Sequence, residues 1–210
     1  MKQNVKVILA SGSPRRKELF ERAGIHFSVV KSDTEETVTG TNPADIVMQL
    51  STKKAAAVRK QLQAKDFLCE DSEEGTIIIG ADTIVVSEGK ILGKPKDEEE
   101  AFYMLMSLSG KDHFVYTGVS CLYVDRNGNE VEDKGICFAE ETVVMMYPFS
   151  EEEAKAYIRT NEPMDKAGSY GIQGIGGLLV KGICGDYQNV VGFPLAAFFR
   201  LGCQKNFFRL

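Results

Sequence analysis

The sequence predicts an α/β protein with a mixed sheet, and three patterns carry that prediction. In the first half, short β-branched runs alternate with segments whose apolar residues recur at helical spacing. Two long apolar segments then flank Asn127-Gly128, a dipeptide that is a strong signal for a hairpin. Strands and helices mix again toward the end of the chain. We expect a two-lobed protein with a cleft and with the long hairpin in one lobe.

The composition is that of a globular protein rather than of a nucleic-acid coat or a membrane binder. Of the 210 residues, 43% are apolar and 26% are charged, and the net charge is −5. No run approaches the roughly 20 apolar residues of a membrane span, and the N-terminal apolar run is too short for a signal peptide. The five cysteines form no CxxC pair, which is typical of reduced thiols. We therefore expect a cytoplasmic protein without nucleic-acid or membrane partners.

The stretch 5–24 predicts a strand, a loop and a helix. Residues 5–10 are mostly apolar, as in a buried strand, and a loop of small residues follows. Ser13 is suited to the N-cap of a helix, Pro14 to its first position and Gly24 to the position just past its end. Such a strand–loop–helix unit points free backbone N–H groups, and the positive end of the helix dipole, at an anion.

Arg15 and Arg16 lie in the first turn of this helix and strengthen the prediction of an anion site. Their guanidinium groups carry permanent charge and forked donors that match phosphate oxygens. The alternative is an ordinary helix start whose arginines are merely solvated.

A second strand and a long helix follow. The alternating run 25–31 predicts the strand, and residues 32–37 form an acidic loop. Asn42 is suited to cap a helix that runs to about Gln63 and carries an apolar stripe. The polar, acidic segment 64–75 is interpreted as an exposed connection.

The apolar run 76–79 predicts a short central strand, and Asp82 stands just beyond its end. Strand pattern resumes over 84–86, and a turn into residues 91–92 predicts a hairpin. A helix is expected over 97–108.

The second half contains the long hairpin, with strands predicted over 113–124 and 131–147. Ser150 and Glu153 then form a capping box that predicts another helix. The glycine-rich segment 161–177 has no periodicity of its own, and so long a loop is usually functional or disordered. The remaining predictions are a strand over 178–183, a helix over 194–201 and a frayed end over 204–210.

Polar side chains gather in loops at the predicted element ends, where functional sites usually lie. Cations combined with carboxylates favour a phosphate-bearing substrate and a divalent metal, Mg²⁺ or Mn²⁺, held by hard oxygen ligands. A carboxylate there can also take a proton from an attacking water. The candidates are Arg15, Arg16, Glu35, Glu36, Lys54, Asp82, Lys94, Asp165, Lys166 and Gln173.

These candidates have ordinary structural alternatives. Asp82 can cap a turn, and the pair Glu35 and Glu36 can be a solvated acidic turn. Lys54 can be a surface lysine on a helix, and Lys94 before Pro95 can belong to an ordinary turn. Neither a GxGxxG motif nor a GxxxxGK(S/T) motif is present, so a dinucleotide-binding or P-loop site has little support.

Four motifs give the chain a specific resemblance. They are ASGSPRRKEL at 10–19, GADTIV at 80–85 with LGKP at 92–95, LSGKDHFVYTGV at 108–119, and DKAGSYGIQG at 165–174. In this order they resemble the Maf family of nucleoside triphosphate pyrophosphatases, over residues 5 to about 195.

The resemblance implies one Maf-like domain over 1–210, with two lobes around an elongated mixed sheet and the active site in the cleft between them. It also implies hydrolysis of a nucleoside triphosphate to the monophosphate and pyrophosphate with a divalent cation, as house-cleaning of nucleotide pools. A homodimer is common in the family.

The resemblance also assigns roles to individual residues. Asp82 matches the family's proton acceptor, and with Glu36 it would contact the metal. Lys54 matches a lysine of the second helix, with Lys53 beside it as an alternative. Glu35 stands where the family commonly has aspartate, which makes it an alternative to Glu36. The residues that would bind the substrate are Ser11, Ser13, Arg15, Arg16, Lys94, Asp165, Lys166 and Gln173.

The base preference rests on Arg15, Lys94 and Gln173, which together resemble the branch of the family acting on dTTP and UTP. A second branch acts on 7-methyl-GTP. A glutamine side chain offers both a donor and an acceptor to the edge of thymine or uracil, whereas the alternative is an amide that only structures its loop. Two further hypotheses are a non-enzymatic nucleotide-binding regulator of cell division and a phosphatase acting on monophosphates.

Overall fold

The computed structural model describes residues 2–32, 38–63 and 75–210, which alternate between strands and helices as predicted. The strands are β1 (Lys2–Gln3), β2 (Lys6–Leu9), β3 (Ser28–Val29), β4 (Thr76–Ser87), β5 (Lys90–Leu92), β6 (Asp112–Val124), β7 (Ile136–Met146), β8 (Val180–Cys184) and β9 (Phe208–Arg209). The helices are α1 (Pro14–Arg22), α2 (Pro43–Gln63), α3 (Glu98–Leu108), α4 (Glu151–Ile158), α5 (Tyr187–Val191) and α6 (Leu195–Gln204).

Most of the described strands form one mixed sheet in the order β3-β2-β4-β6-β7-β8, with β5 paired to β4. Strand β2 runs parallel to β3 and β4, whereas β5 is antiparallel to β4 and β8 is antiparallel to β7. Strands β1 and β9 pair as a separate antiparallel sheet. The mixed α/β fold class is therefore confirmed. None of the described helices is both long and apolar enough to cross a membrane.

The first of two compact units comprises Met1–Asp82, Thr117–Ala139 and Gly192–Leu210. In its core, the apolar face of α2 packs on the parallel strands β2 and β4 through fully buried residues such as Val58 and Ile78. Helix α2 begins as the sequence predicts, because Oδ1 of Asn42 accepts the backbone N–H of Ala44 at 2.9 Å.

The second compact unit comprises Thr83–Tyr116 and Glu140–Val191. Helices α3 and α4 pack together here and bury Leu105 and Ala154. Helix α4 begins with the predicted capping box, in which the side chains of Ser150 and Glu153 each accept the backbone N–H of the other residue. That the active site lies in a cleft between two lobes stays a prediction.

Strand β4 differs from its prediction. The sequence predicts separate strands over 76–79 and 84–86, but the structure has one continuous strand with Asp82 in its interior. A glycine between two apolar runs suggests a break, yet Gly80 serves a close approach of helix to strand. A Cβ built on Gly80 would lie 2.0 Å from the backbone carbonyl oxygen of Ser51 in α2, so only glycine fits there.

The prediction of a frayed end over 204–210 is wrong. The side chains of Phe207 and Phe208 are buried, and β9 pairs with β1. Phe208 also packs edge-on against Phe198, with 5.8 Å between the ring centroids. This burial depends on a strand at the opposite end of the chain, which no local pattern reveals.

Smaller differences concern element lengths. Strand β7 starts later than the predicted range 131–147, because Glu132–Lys134 form a 3₁₀ turn. Strand β3 is only two residues long, and helix α5 was not predicted. The loop 161–177 contains short 3₁₀ turns rather than a regular helix or strand.

Candidate active site

Strands β2 and β4 are parallel, so the loop after β2 and Asp82 of β4 lie at the same end of the paired strands. Leu9 pairs with Ile79, and the N–H of Ala10 donates to the carbonyl oxygen of Ile79 at 2.8 Å. Both the loop after β2 and Asp82 of β4 lie beyond this last pair, on the carboxyl-terminal side. In α/β sheets that side is where ligands usually bind.

Ser11, rather than Ser13, provides the hydroxyl that organises the loop before α1. Ser11 is buried, and its Oγ accepts the backbone N–H of Ser13 at 3.3 Å and a hydrogen bond from Nη1 of Arg16 at 3.2 Å. Ser13 occupies the N-cap position, but within the described residues its side chain makes no capping hydrogen bond. The predicted N-cap position of Ser13 is therefore confirmed, although its side chain does not cap the helix, and the loop leads into the N-terminus of a helix as predicted.

Arg16 is held by the protein rather than merely solvated. Its Nε donates to the carbonyl oxygen of Gly192 at 2.8 Å while Nη1 donates to Ser11. The guanidinium thereby ties the loop after β2 to the backbone that leads into α6. Arg15, its neighbour in the first turn of α1, is half-buried. The two cations and the helix N-terminus give this loop the positive potential of an anion site.

Lys54 of α2 and Asp82 of β4 form an ion pair that is largely shielded from water. Lys54 Nζ donates to Asp82 Oδ1, and only 15% and 12% of the two side chains are exposed. The contact follows from Gly80, because the absence of a side chain there lets α2 lie against β4 two residues before Asp82. Asp82 does not cap a turn and Lys54 is not a surface lysine, so both ordinary alternatives are wrong. Since shielding two charges from water costs free energy, the pair points to a chemical role rather than to stability.

The structure distinguishes Lys54 from its neighbour Lys53. Successive residues of an α-helix point about 100° apart because each turn has 3.6 residues. Lys54 therefore contacts Asp82, whereas Lys53 is exposed to solvent. Glu35 and Glu36 lie outside the described residues, so the choice between these two acids stays open.

The predicted metal requires oxygen ligands. In the part of the chain that the structure describes, no three His, Cys, Asp or Glu side chains are grouped to hold a metal ion. Mg²⁺ is usually held by one or two carboxylates together with substrate phosphates, so a preformed cluster is not required. Asp82 fits as one such ligand, and the other predicted ligand, Glu36, is outside the described residues.

The remaining candidates belong to the second compact unit. Lys94 and Gln173 are exposed, each on a loop. Lys166 Nζ donates to Oδ1 of Asp165 at 2.7 Å and also to the carbonyl oxygen of Glu162, so this ammonium is tied to its own loop. The loops that carry Lys94 and Lys166 are joined by a backbone hydrogen bond of 3.0 Å from Gly168 to Gly93.

Sequence reasoning missed a partly buried acceptor beside the loop that carries Gln173. The Glu162 carboxylate accepts hydrogen bonds from the backbone N–H groups of Ile175 and Gly176 and from the Tyr157 hydroxyl. Burial alone would raise the pKa of Glu162, but these hydrogen bonds hold it below its ordinary value. Burial, and then the bond to Glu162, raise the pKa of Tyr157. No local pattern marks Glu162, because its two backbone partners lie 13 and 14 residues away.

His113 and Tyr170 form a second arrangement that the sequence did not indicate. Both side chains are buried, and His113 Nε2 lies 2.8 Å from the Tyr170 hydroxyl. Burial lowers the pKa of His113 to about 4, because the charged imidazolium would lose its hydration. His113 is therefore a neutral core residue at physiological pH.

The sequence comparisons agree with these observations. The model of the family described as Maf-like protein matches residues 6–204, so the chain belongs to that family. A dTTP/UTP pyrophosphatase of Agathobacter rectalis is 48% identical over 196 residues, covering 92% of this chain and 94% of that protein. A dTTP/UTP pyrophosphatase of Bacillus cytotoxicus is 50% identical over 196 residues, covering 93% of each.

A solved structure of a nucleoside-triphosphatase (dITP/XTP pyrophosphatase) from Mycobacterium abscessus was also matched. It is 12% identical, covers 97% of this chain and 98% of that one, and has a TM-score of 0.35. At that score the likeness carries no weight for the fold or the site.

Proposed function

We propose that this protein is a nucleoside triphosphate pyrophosphatase that hydrolyses dTTP and UTP to the monophosphate and pyrophosphate. The observation that carries the proposal is the shielded Lys54–Asp82 pair on the same side of the β2–β4 pairing as the arginine-bearing loop. Relatives of 48% to 50% identity that are named for this activity supply the substrate class.

The triphosphate is bound by the loop between β2 and α1. Backbone N–H groups at the start of α1 and the guanidinium of Arg15 bind the phosphate oxygens. Arg16 and Ser11 maintain the conformation of the loop through their hydrogen bonds. Ser13 contributes as part of the same loop. A polyanion is favoured here because Arg15 and Arg16 place two positive charges in the first turn of a helix, beside its positive dipole end.

Asp82 then accepts a proton from the water that attacks the α-phosphorus. A bond forms between the water oxygen and the α-phosphorus, and the bond to the oxygen bridging the α- and β-phosphorus atoms breaks. Pyrophosphate leaves with that oxygen, and the water oxygen stays on the monophosphate. Lys54 orients the Asp82 carboxylate through its hydrogen bond to Oδ1.

A divalent cation, Mg²⁺ or Mn²⁺, would be held by Asp82 and Glu36 together with phosphate oxygens. When bound, it neutralises charge on the triphosphate and on the leaving pyrophosphate. The carboxylate donor set agrees with the preference of these hard cations for oxygen.

Recognition of the base is assigned to Gln173, with Lys94 and the Asp165–Lys166 pair as further contacts to the substrate. The amide of Gln173 is exposed and can pair one donor and one acceptor with thymine or uracil. The free cysteines in the described residues suit the reducing cytoplasm, where we place the enzyme. A homodimer is proposed on the family resemblance, and light scattering after size exclusion tests it.

The test is product analysis with a panel of nucleotides. The purified protein is incubated with dTTP, UTP, CTP, dATP, GTP and 7-methyl-GTP in Mg²⁺ or Mn²⁺, and pyrophosphate and inorganic phosphate are measured separately. We expect pyrophosphate from dTTP and UTP. Pyrophosphate mainly from 7-methyl-GTP would contradict the role of Gln173, and inorganic phosphate alone would indicate a phosphatase rather than a pyrophosphatase. Nucleotide binding without any product would favour a regulator.

A further inference from the structure

The loop that carries Gln173 is held by the partly buried carboxylate of Glu162 and by the Tyr157 hydroxyl. Oε2 of Glu162 accepts the N–H of Ile175 at 3.0 Å, and Oε1 accepts the N–H of Gly176 at 3.1 Å. The Tyr157 hydroxyl donates to Oε1 at 2.9 Å and itself accepts the N–H of Gly171 at 3.1 Å. The side chains of Tyr157 and Glu162 thus fix three backbone N–H groups of this loop, one before Gln173 and two after it.

The loop approaches these two side chains so closely that a Cβ at either contact would displace them from their present positions. A Cβ built on Gly174 would lie 2.3 Å from Oε2 of Glu162, and one built on Gly176 would lie 2.4 Å from the Tyr157 hydroxyl oxygen. The backbones of both residues belong to other elements, Tyr157 to helix α4 and Glu162 to the 3₁₀ turn Glu162–Asp165. The glycines therefore let the loop backbone reach the acceptors directly.

The position of Gln173 follows from this arrangement. Gln173 is exposed, while the residues that anchor its loop are partly or fully buried. An exposed side chain on a short loop selects a base only if the backbone beneath it is fixed, because otherwise the entropy of ordering the loop is lost on binding.

We propose that Glu162, together with Tyr157, is a positioning residue for base selection, holding the loop Gly171–Gly176 so that Gln173 meets the pyrimidine edge. The inference rests on the proposed function. Glu162 does not touch the substrate but acts through Gln173. The carboxylate is required because both its oxygens accept hydrogen bonds, whereas an amide would turn an NH₂ group toward one of the loop's N–H donors.

The test compares Glu162→Gln and Tyr157→Phe with two control variants of the same chemistry, Glu99→Gln and Tyr103→Phe, at exposed positions of α3. We expect both test variants to lower kcat/KM for dTTP and UTP by about tenfold through KM, with kcat and the activity on CTP little changed, since each removes hydrogen bonds of this strength. The control variants should behave as the wild type. Thermal melts establish that all variants are folded.

A double-variant comparison separates positioning from general support of the structure. In a Gln173→Ala background, Glu162→Gln should have little additional effect, because the residue it positions is gone. Equal loss on all nucleotides, an undiminished effect in the Gln173→Ala background, or a wild-type value of kcat/KM for Glu162→Gln would each overturn the proposal.

Hydrogen exchange of the amides in 171–176 provides a readout independent of activity. Glu162→Gln should exchange these amides at least tenfold faster than Glu99→Gln, and equal rates would overturn the proposal. If the wild type releases no pyrophosphate from any nucleotide, the proposed function fails, and the exchange data still decide whether Glu162 holds the loop.

Discussion

The two compact units present their polar groups in different ways. In the first, Lys54 and Asp82 stand on a helix and a strand whose contact is set by the backbone at Gly80. In the second, Gln173 stands on a loop held by hydrogen bonds from backbone N–H groups to side chains. Under the proposed function, the first unit carries the chemical step on a helix and a strand, and the second selects the base from a loop whose backbone is held by two side chains. Changes in the first unit should affect all substrates, and changes in the second should change the choice among them.

Among the changes that test this comparison, substitution of Lys54 should have the largest effect on kcat. Lys54→Met keeps the length of the side chain but removes the charge that orients Asp82, and kcat should fall about 100-fold for every nucleotide. Lys53→Met is the matched control, because Lys53 is exposed on the same helix, and it should retain near wild-type activity. Steady-state pyrophosphate release checks both variants. Similar losses in the two variants would show that general positive charge, not the pair with Asp82, is what matters.

The contact between α2 and β4 can be broken at Gly80. Gly80→Ala places a Cβ against the backbone of Ser51, so the free energy of unfolding should fall by about 1–3 kcal/mol. Gly93→Ala is the control, since a Cβ there would meet nothing within 4 Å. Urea unfolding followed by circular dichroism measures the difference. Equal stability of the two variants would mean that the close approach at Gly80 does not constrain the first unit.

A smaller effect is expected from pH in the second unit. The pKa of His113 is about 4 in the folded protein and about 6.5 in an unfolded chain, so protonation favours unfolding. The contribution of His113 to stability is complete above pH 6.5 and is lost as the pH falls toward 4. Between pH 7 and pH 5 the loss should be about 2 kcal/mol.

Urea unfolding at these two pH values, repeated with His113→Gln and with His26→Gln, tests the assignment. His113→Gln should make the pH dependence shallower by that amount, whereas His26→Gln should leave it unchanged because His26 is exposed. If the slopes of the wild type and His113→Gln coincide, another group is responsible for the acid sensitivity.

Local signals allowed part of this structure to be predicted from sequence. The strand, loop and helix of 5–24 and the capped helices α2 and α4 were predicted, because caps, glycines and periodicity act within a few residues. The pairing of Lys54 with Asp82 was not evident from spacing, because it depends on how a helix and a strand approach each other.

Two of the features that were missed depend on distant parts of the chain. The burial of Phe207 and Phe208 requires β1, which lies at the opposite end of the sequence. Glu162 has no motif of its own, and its contacts with the glycine-rich loop form only in the folded protein. The strand–loop–helix pattern and its two arginines indicated a phosphate site, but the choice of Ser11 rather than Ser13 depends on the detailed conformation of the loop.

The measurement that tests the central claim most directly is pyrophosphate release from dTTP by Asp82→Asn, beside Asp97→Asn as a control. Asp97 caps α3 through its side chain, and asparagine caps equally well, so the control should keep full activity. If Asp82 accepts the proton from water, Asp82→Asn should lose on the order of 10²–10⁴ in kcat while remaining folded and able to bind dTTP. A folded Asp82→Asn protein with kcat within tenfold of the wild type would contradict the account.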